Sequence, residues 1–119
     1  MREITTTLTL PVDGVSRTFR LTKLDAFSGA RLLKLLSAAS SDDLREILFS
    51  LPDQELRSVM ETCLAHAEIS LPAGFLRVLD RGCWALPELE YETWLGLRLT
   101  MEVISWTLEG FFSDGGQPS

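Results

Sequence analysis

Cys63 and His66 are the residues whose types come nearest to a nucleophile and its general base. A Cys–His pair works when the imidazole takes the thiol proton, which requires both side chains to converge in a cleft. Cys63 falls on the apolar stripe of a predicted helix, so its thiol is expected to point into the core. His66 is the only histidine, which excludes a zinc site or a dyad built on two histidines. We therefore predict structural roles for both residues.

Acidic side chains are densest at Asp80, Glu88, Glu90 and Glu92. Two carboxylates could act as the acid and the base of a hydrolysis reaction, and a small hydrolase built on these residues is an alternative that needs a pocket around them. Acidic residues that precede a helix more commonly complement the helix dipole and face solvent. We favour that second interpretation.

The remaining signals for chemistry are incomplete. Gly115 and Gly116 lack the Lys and the Ser or Thr that follow the glycines of a phosphate loop. No serine has the flanking residues of a nucleophile elbow. The sequence therefore predicts a protein that is not an enzyme, with no catalytic residue, no metal ligand and no cofactor.

The elements that position these residues begin with a β-hairpin. Ile4, Leu8 and Leu10 alternate with threonines, which indicates a half-buried strand. Pro11–Gly14 then supplies turn residues, with a glycine that is free to take a positive φ. Apolar residues alternate again beyond the turn, so a hairpin is predicted over Glu3–Leu21.

About four helices are predicted after the hairpin. Asp25 is the expected N-cap of the first, which runs over Ala26–Ser37. Ser40 and Asp43 match a capping box for the second, Ser41–Ser50, which Pro52 stops.

The third helix has the strongest helical periodicity, and its first turn is acidic, as the helix dipole favours. Its apolar stripe consists of Leu56, Val59, Met60, Cys63, Leu64 and Ala67. Prolines and glycines punctuate residues 67–90, so a long helix is not expected there. A second small hairpin formed by Phe75–Leu79 and Cys83–Leu86, a loop and a frayed helix all stay open for this region.

The last helix, Tyr91–Phe112, is apolar over most of its circumference, so it must be buried, lie in a membrane or meet a partner. A membrane span is not expected, because the three ions Arg98, Glu102 and Glu109 would each cost about 2.5–3.5 kcal/mol near mid-bilayer. This helix is predicted to be the central core helix and to expose part of its apolar surface to a partner. The predicted partner-binding residues are Trp94, Leu95, Met101, Trp106, Leu108, Phe111 and Phe112.

The composition fits one mostly helical α+β domain over residues 1–112, followed by a flexible tail at 113–119. The chain has 119 residues, of which 45% are hydrophobic and 24% charged, as is usual for globular domains. Cys63 and Cys83 are predicted to be buried and reduced in the cytosol, because a chain of this size needs no disulfide. The N-terminus has no apolar signal-peptide core.

The charge of the chain argues against nucleic acid as a partner. The net charge is −6, and its basic residues are scattered, whereas phosphate backbones bind clustered Lys and Arg. A helix–turn–helix motif across Ser41–Leu64 is a weak alternative. Its presumed recognition helix carries Asp53, Glu55 and Glu61 against the single Arg57.

The order of features along the chain resembles that of the phage tail assembly chaperones, small proteins encoded between the tail tube and tape-measure genes of long-tailed phages. The resemblance covers nearly the whole chain. It includes the short β segment, the leucine-rich helices around Ala30–Leu36, the irregular middle with Pro87–Glu90, and the last helix. The ending Val103–Phe112, a Val-Ile pair followed after a gap by a double Phe, is similar to the C-terminal pattern of the family.

The resemblance implies a chaperone of a phage or prophage that acts in the bacterial host cytoplasm and is not part of the mature virion. Such proteins bind the tape-measure protein, keep it soluble and help to recruit tail tube subunits. Relatives are often made in a longer, frameshifted form. Self-association into a homo-oligomer through the same apolar surface is left open.

A second interpretation is a secretion-type chaperone or adaptor that binds an amphipathic client segment. It has the same small, acidic α+β character, and an apolar groove or helix face would serve either client. The neighbouring genes would separate the two interpretations.

Overall fold

The computed structural model describes residues 3–110, an α+β fold in which a four-stranded antiparallel sheet is combined with four α-helices. The predicted α+β class, N-terminal hairpin and number of helices are confirmed. The predicted tail 113–119 and the last two predicted partner-binding residues, Phe111 and Phe112, lie outside the described residues. No helix within the described residues is long and apolar enough to cross a membrane.

The N-terminal hairpin consists of β1 (Thr5–Val12) and β2 (Val15–Thr22). The two strands pair over their whole length, from Thr5 opposite Thr22 to Val12 opposite Val15. Asp13 and Gly14 form the two-residue turn with φ angles of +51° and +79°, the backbone that suits the twist of a hairpin.

Two further strands complete the sheet in the order β1-β2-β3-β4. They are β3 (Ala67–Leu71) and β4 (Gly74–Arg77). The assignment of Ala67 to the stripe of the third helix is wrong, because this residue pairs with Leu21 and is fully buried in the sheet.

Of the three alternatives left open for the region after β3, the small hairpin is the one present, and it is shorter than expected. It consists of β5 (Leu79–Asp80) and β6 (Cys83–Trp84), joined by Arg81 and Gly82. Phe75–Arg77 belongs instead to β4, because its backbone pairs with β3 in the main sheet.

The helix α1 (Ala26–Ser37) has the predicted bounds and the predicted cap. The carboxylate of Asp25 accepts hydrogen bonds from the backbone N–H groups of Phe27 and Ser28 at 3.1 Å and 3.3 Å. These bonds satisfy donors that the first turn of a helix leaves free.

The helix α2 (Leu44–Ser50) begins three residues later than predicted. Its N-cap is Asp43, whose carboxylate accepts a hydrogen bond from the backbone N–H of Arg45 at 3.0 Å, and not Ser40. The hydroxyl of Ser41 accepts a hydrogen bond from the N–H of Asp43, which holds the chain in a turn before the helix.

The two remaining helices are α3 (Asp53–Leu64) and α4 (Thr93–Gly110). The predicted start of the last helix at Tyr91 is wrong, because Pro87–Tyr91 forms a short 3₁₀ helix that ends before α4 begins.

The core lies between the sheet and the helices α3 and α4. Phe19 and Ile69 from the sheet are fully buried, as are Leu99 and Val103 from α4. Burying each such side chain contributes about 1.5–3 kcal/mol to the free energy of unfolding. Cys63 is buried in this core, whereas Cys83 is exposed on β6, so the expectation that both cysteines are buried is wrong.

Candidate partner-binding groove

Trp94 stands at the start of α4 and is half exposed, with 50% of its surface accessible. The guanidinium of Arg45, from α2, lies 4.9 Å from the centre of its ring. This is a cation–π distance. Trp94 and Arg45 are therefore already in contact with each other. Two further exposed aromatic residues are near them in sequence, Tyr91 three positions before Trp94 and Phe49 four positions after Arg45.

The other predicted partner-binding residues of α4 divide between core and surface. Leu95 and Leu108 are buried at 6% and 4% exposure, so they stabilise the core and offer no surface to a partner in this conformation. Met101 is half-buried against the core.

Trp106 is half-buried against the N-terminal segment. Its indole N–H donates a hydrogen bond to the carbonyl oxygen of Ile4 at 3.1 Å. The ammonium of Lys23 lies 4.7 Å from the centre of the indole ring. Trp94 and Trp106 therefore contact different elements, and within residues 3–110 the two tryptophans do not share one surface.

An apolar depression lies between α1, α2 and the C-terminal half of α4, and we call it the α1–α2–α4 groove. Its volume is about 710 Å³. Its apolar lining consists of Leu33, Leu36, Leu44, Ile47 and Ile104.

The polar residues of the groove come from α1, α4 and the loop between α1 and α2. They are Ser37, Ser41, Asp42, Ser105 and Glu109. The hydroxyl of Ser41 donates a hydrogen bond to the carboxylate of Glu46 at 3.0 Å. The groove thus combines an apolar floor with serines and carboxylates at its margin.

A polar stripe along α4 separates this groove from a second depression of about 370 Å³ beside β1. The stripe contains Arg98, Glu102, Ser105 and Glu109, which follow one another at helical spacing. The guanidinium of Arg98 donates a hydrogen bond to Glu102 at 2.8 Å, and Ser105 and Glu109 are exposed.

A third depression, of about 450 Å³, lies between α3 and the β5–β6 hairpin. It brings Glu90 near Asp53 and Glu61. Asp80, which the hydrolase alternative needs beside Glu90, instead forms an ion pair with Arg77 at 3.5 Å. The structure therefore does not gather the predicted acidic cluster into one pocket.

Cys63 and His66 are not arranged as a nucleophile and its base. Burial raises the pKa of the Cys63 thiol to about 12, because a thiolate is poorly solvated in the core. The Nδ1 of His66 lies 2.9 Å from the carbonyl oxygen of Thr62. A carbonyl oxygen can only accept, so Nδ1 donates this hydrogen bond at the end of α3 and is not directed at the Cys63 thiol. No group of three or more metal-ligating residues is found within residues 3–110.

None of the predicted partner-binding residues within the described part of the chain lines the groove, so sequence reasoning did not identify this site. The leucines of α1 are visible in the sequence as its apolar content, and they fall on two faces of the helix. The excess of leucine was the feature of the sequence that could have indicated a groove, because only Leu32 among the leucines of α1 is buried in the core. Leu33 and Leu36 are left at the margin of the core.

No protein-family model, curated protein or solved structure matches this chain.

Proposed function

We propose that this protein is a phage tail assembly chaperone that binds a helical segment of the tape-measure protein in the α1–α2–α4 groove. In this proposal the protein is not an enzyme. It keeps the tape-measure protein soluble in the host cytoplasm, helps to recruit tail tube subunits and is absent from the mature virion.

The observation that carries the proposal is the apolar lining of a groove that three helices form. An amphipathic helix recognises such a groove by placing its apolar side chains at i, i+3, i+4 and i+7 against the floor. Leu33, Leu36 and Leu44 are partly buried, so a client helix would complete the burial of side chains that the domain covers only in part.

The proposal also assigns a role to the apolar surface of α4. In this proposal part of that surface is not covered by the rest of the domain and contacts the client. Ile104 contributes from this helix to the floor of the groove. Phe111 and Phe112 follow two and three residues after the groove residue Glu109, and in this proposal they extend the client surface. The resemblance of the segment Val103–Phe112 to the family pattern supports the same assignment.

The charge of the groove margin favours a client segment with basic residues beside its apolar face. Asp42 and Glu109 line the groove, and the whole chain has a net charge of −6. Opposite charges at the rim of an interface raise the association rate and orient the two partners more than they increase the affinity. Binding is therefore expected to slow as the salt concentration rises.

The test is co-purification with the tape-measure protein encoded beside this chain, using variants that fill the groove from its exposed serines. Ser37 and Ser105 line the groove and are exposed, so Ser37→Trp/Ser105→Trp blocks it without removing a core side chain. We expect the double variant to weaken binding at least about tenfold, a typical loss when a central interface contact is removed.

Gln54→Trp is the matched control, because Gln54 is exposed on α3 and does not line the groove. It should bind as the wild type does. The proposal fails if the double variant retains the tape-measure protein as well as the control does. Capture of an exported protein instead of the tape-measure protein would favour the secretion-type alternative.

A further inference from the structure

The strand β1 stands at one edge of the sheet and pairs only with β2 among the strands of residues 3–110. It has eight residues. An edge of this length presents a row of backbone donors and acceptors to solvent, and a further strand can pair with it.

The pairing pattern identifies the residues whose backbone groups point outward. Val12 and Val15 flank the two-residue turn, and at the other end Lys23 donates to the carbonyl oxygen of Ile4 at 2.9 Å. Hydrogen-bonded pairs alternate with open pairs in an antiparallel ladder. The even-numbered residues of β1 therefore bond to β2, and the backbone groups of Thr5, Thr7 and Thr9 face away from the sheet, as does the carbonyl of Pro11, which has no N–H to donate.

The outer edge of β1 carries little of the protection that edge strands usually have, since Pro11 near its end removes one outward donor and no other such device is present in residues 5–12. Natural edges are commonly blunted by charged side chains, especially lysine. Residues 5–12 contain no charged side chain, although 24% of the whole chain is charged. The side chains of Thr5, Thr7 and Thr9 are exposed on the solvent face of the sheet.

We propose that β1 pairs antiparallel with β1 of a second copy of this chain, so that two four-stranded sheets become one eight-stranded sheet. The pattern is self-complementary about Thr7. A two-fold axis there places Thr5 opposite the partner's Thr9, and Thr7 opposite the partner's Thr7. Threonine pairs of this kind stabilise antiparallel sheets.

The same pairing covers exposed apolar surface. Ile4 is 63% exposed at the end of β1, and the two-fold axis places it opposite the partner's Leu10. A chain with a net charge of −6 repels its own copies over most of its surface. The strand itself adds no charge to this repulsion, because residues 5–12 are uncharged, whereas the acidic residues Glu102 and Glu109, which line the depression beside Thr6–Leu8, belong to α4. An uncharged, self-complementary strand favours a second copy over a charged client.

This inference is independent of the proposed function, because the outer edge of β1 does not line the α1–α2–α4 groove. A chain that dimerises and binds no tape-measure protein would contradict only the function. A monomeric chaperone would contradict only the inference.

The experiment compares the dimer dissociation constant of the full chain with that of Thr5→Lys/Thr9→Lys by sedimentation velocity. The substitutions place two pairs of lysines directly opposite each other in the dimer. Each like-charge pair should weaken association about fivefold, and the two together about 25-fold. Ser16→Lys/Thr18→Lys is the matched control, because these residues are exposed on the same face one strand inward, and it should dimerise as the wild type does.

A mixture of variants with opposite charges is the control for misfolding of the lysine variant. Thr5→Glu/Thr9→Glu should dimerise poorly alone and form a heterodimer when mixed with the lysine variant.

Amide exchange gives a residue-level readout: in the dimer the N–H groups of Thr5, Thr7 and Thr9 are as protected as those of Leu8 and Leu10. The proposal is overturned if the wild type is a monomer, or if these threonine amides exchange fast while the leucine amides are protected. A lysine variant that dimerises as the wild type does, or a mixture that forms no heterodimer, overturns it too.

Discussion

Asp25 accepts hydrogen bonds from residues of the first turn of α1, and this environment changes its titration. Hydrogen bonds from Ser28, first from its hydroxyl and then from its backbone N–H, hold the pKa of Asp25 below the ordinary value of 3.8, and the N–H of Phe27 acts in the same direction. These hydrogen bonds are stronger to the charged carboxylate than to the neutral acid, so they favour the charged form.

The lowered pKa of Asp25 predicts a pH dependence of stability. Because the folded-state pKa is below the unfolded one, the charge stabilises the fold above pH 3.8, and this contribution is lost as the pH falls through the folded-state value. Asp25→Asn keeps an acceptor for the cap and has no charge to lose. We expect the difference in Tm between wild type and Asp25→Asn to be constant from pH 7 to about pH 5 and to change below it. Parallel curves down to pH 2 would contradict this explanation.

The two cysteines should differ sharply in reactivity. Cys63 is buried with a pKa of about 12, whereas Cys83 is exposed. At pH 8 only about one Cys63 thiol in ten thousand is ionised, and alkylation requires the thiolate. Folded protein should therefore take up one equivalent of iodoacetamide, at Cys83, and unfolded protein should take up two. Cys83→Ser should take up none while folded, and labelling of Cys63 at a comparable rate would contradict the buried placement.

At the scale of elements, one hydrogen bond joins α4 to the segment that leads into α1. The hydroxyl of Thr107 accepts it from the backbone N–H of Leu24 at 3.0 Å, across 83 positions of sequence. Leu24 is buried at 8% exposure. If the acceptor is lost, a donor in a largely buried position is left without a partner.

Thr107→Val has nearly the same shape and lacks the hydroxyl, so we expect it to lower the free energy of unfolding by about 1–3 kcal/mol in urea titrations. Thr107→Ser keeps the hydroxyl and loses a methyl group, which should cost about 0.8 kcal/mol or less. If the valine variant is as stable as the serine variant, the hydrogen bond does not tie these elements together.

The sequence predicts the elements whose signals are local and misses those that depend on distant partners. The first hairpin follows from alternation and a turn with glycine, and α1 follows from the cap at Asp25. The strand β3 was missed because Ala67 continues the helical spacing of α3, and only its pairing with Leu21 determines its conformation. The start of α2 was misplaced because Ser40 and Asp43 are both good caps, and the hydrogen bond that the backbone N–H of Arg45 donates to the Asp43 carboxylate decides between them.

The candidate site was predictable only in part, for the same reason. The apolar character of the last helix is visible in the sequence, but which of its side chains face the core depends on packing. Leu95 and Leu108 are buried, and the indole of Trp106 is held by Ile4 and Lys23. The groove combines residues of three helices, so its existence depends on tertiary contacts that periodicity cannot supply.

At the scale of the whole molecule, the groove and the free edge of β1 are separate surfaces on the two sides of α4. Ser105 and Glu109 stand between them, since they line both the groove and the depression beside β1. A dimer through β1 would therefore leave both grooves open, and one assembly could hold two client segments. Two linked sites raise the overall affinity for a client with repeated helical segments.

The central claim is that the α1–α2–α4 groove keeps the tape-measure protein soluble, and the most direct measurement is light scattering as that protein is diluted from denaturant. The wild-type chain and Gln54→Trp should suppress the scattering to the same extent, in proportion to the amount added. Ser37→Trp/Ser105→Trp, with a Tm close to that of the wild type, should suppress it much less. Equal suppression by the double variant, or none by the wild type, would contradict the claim.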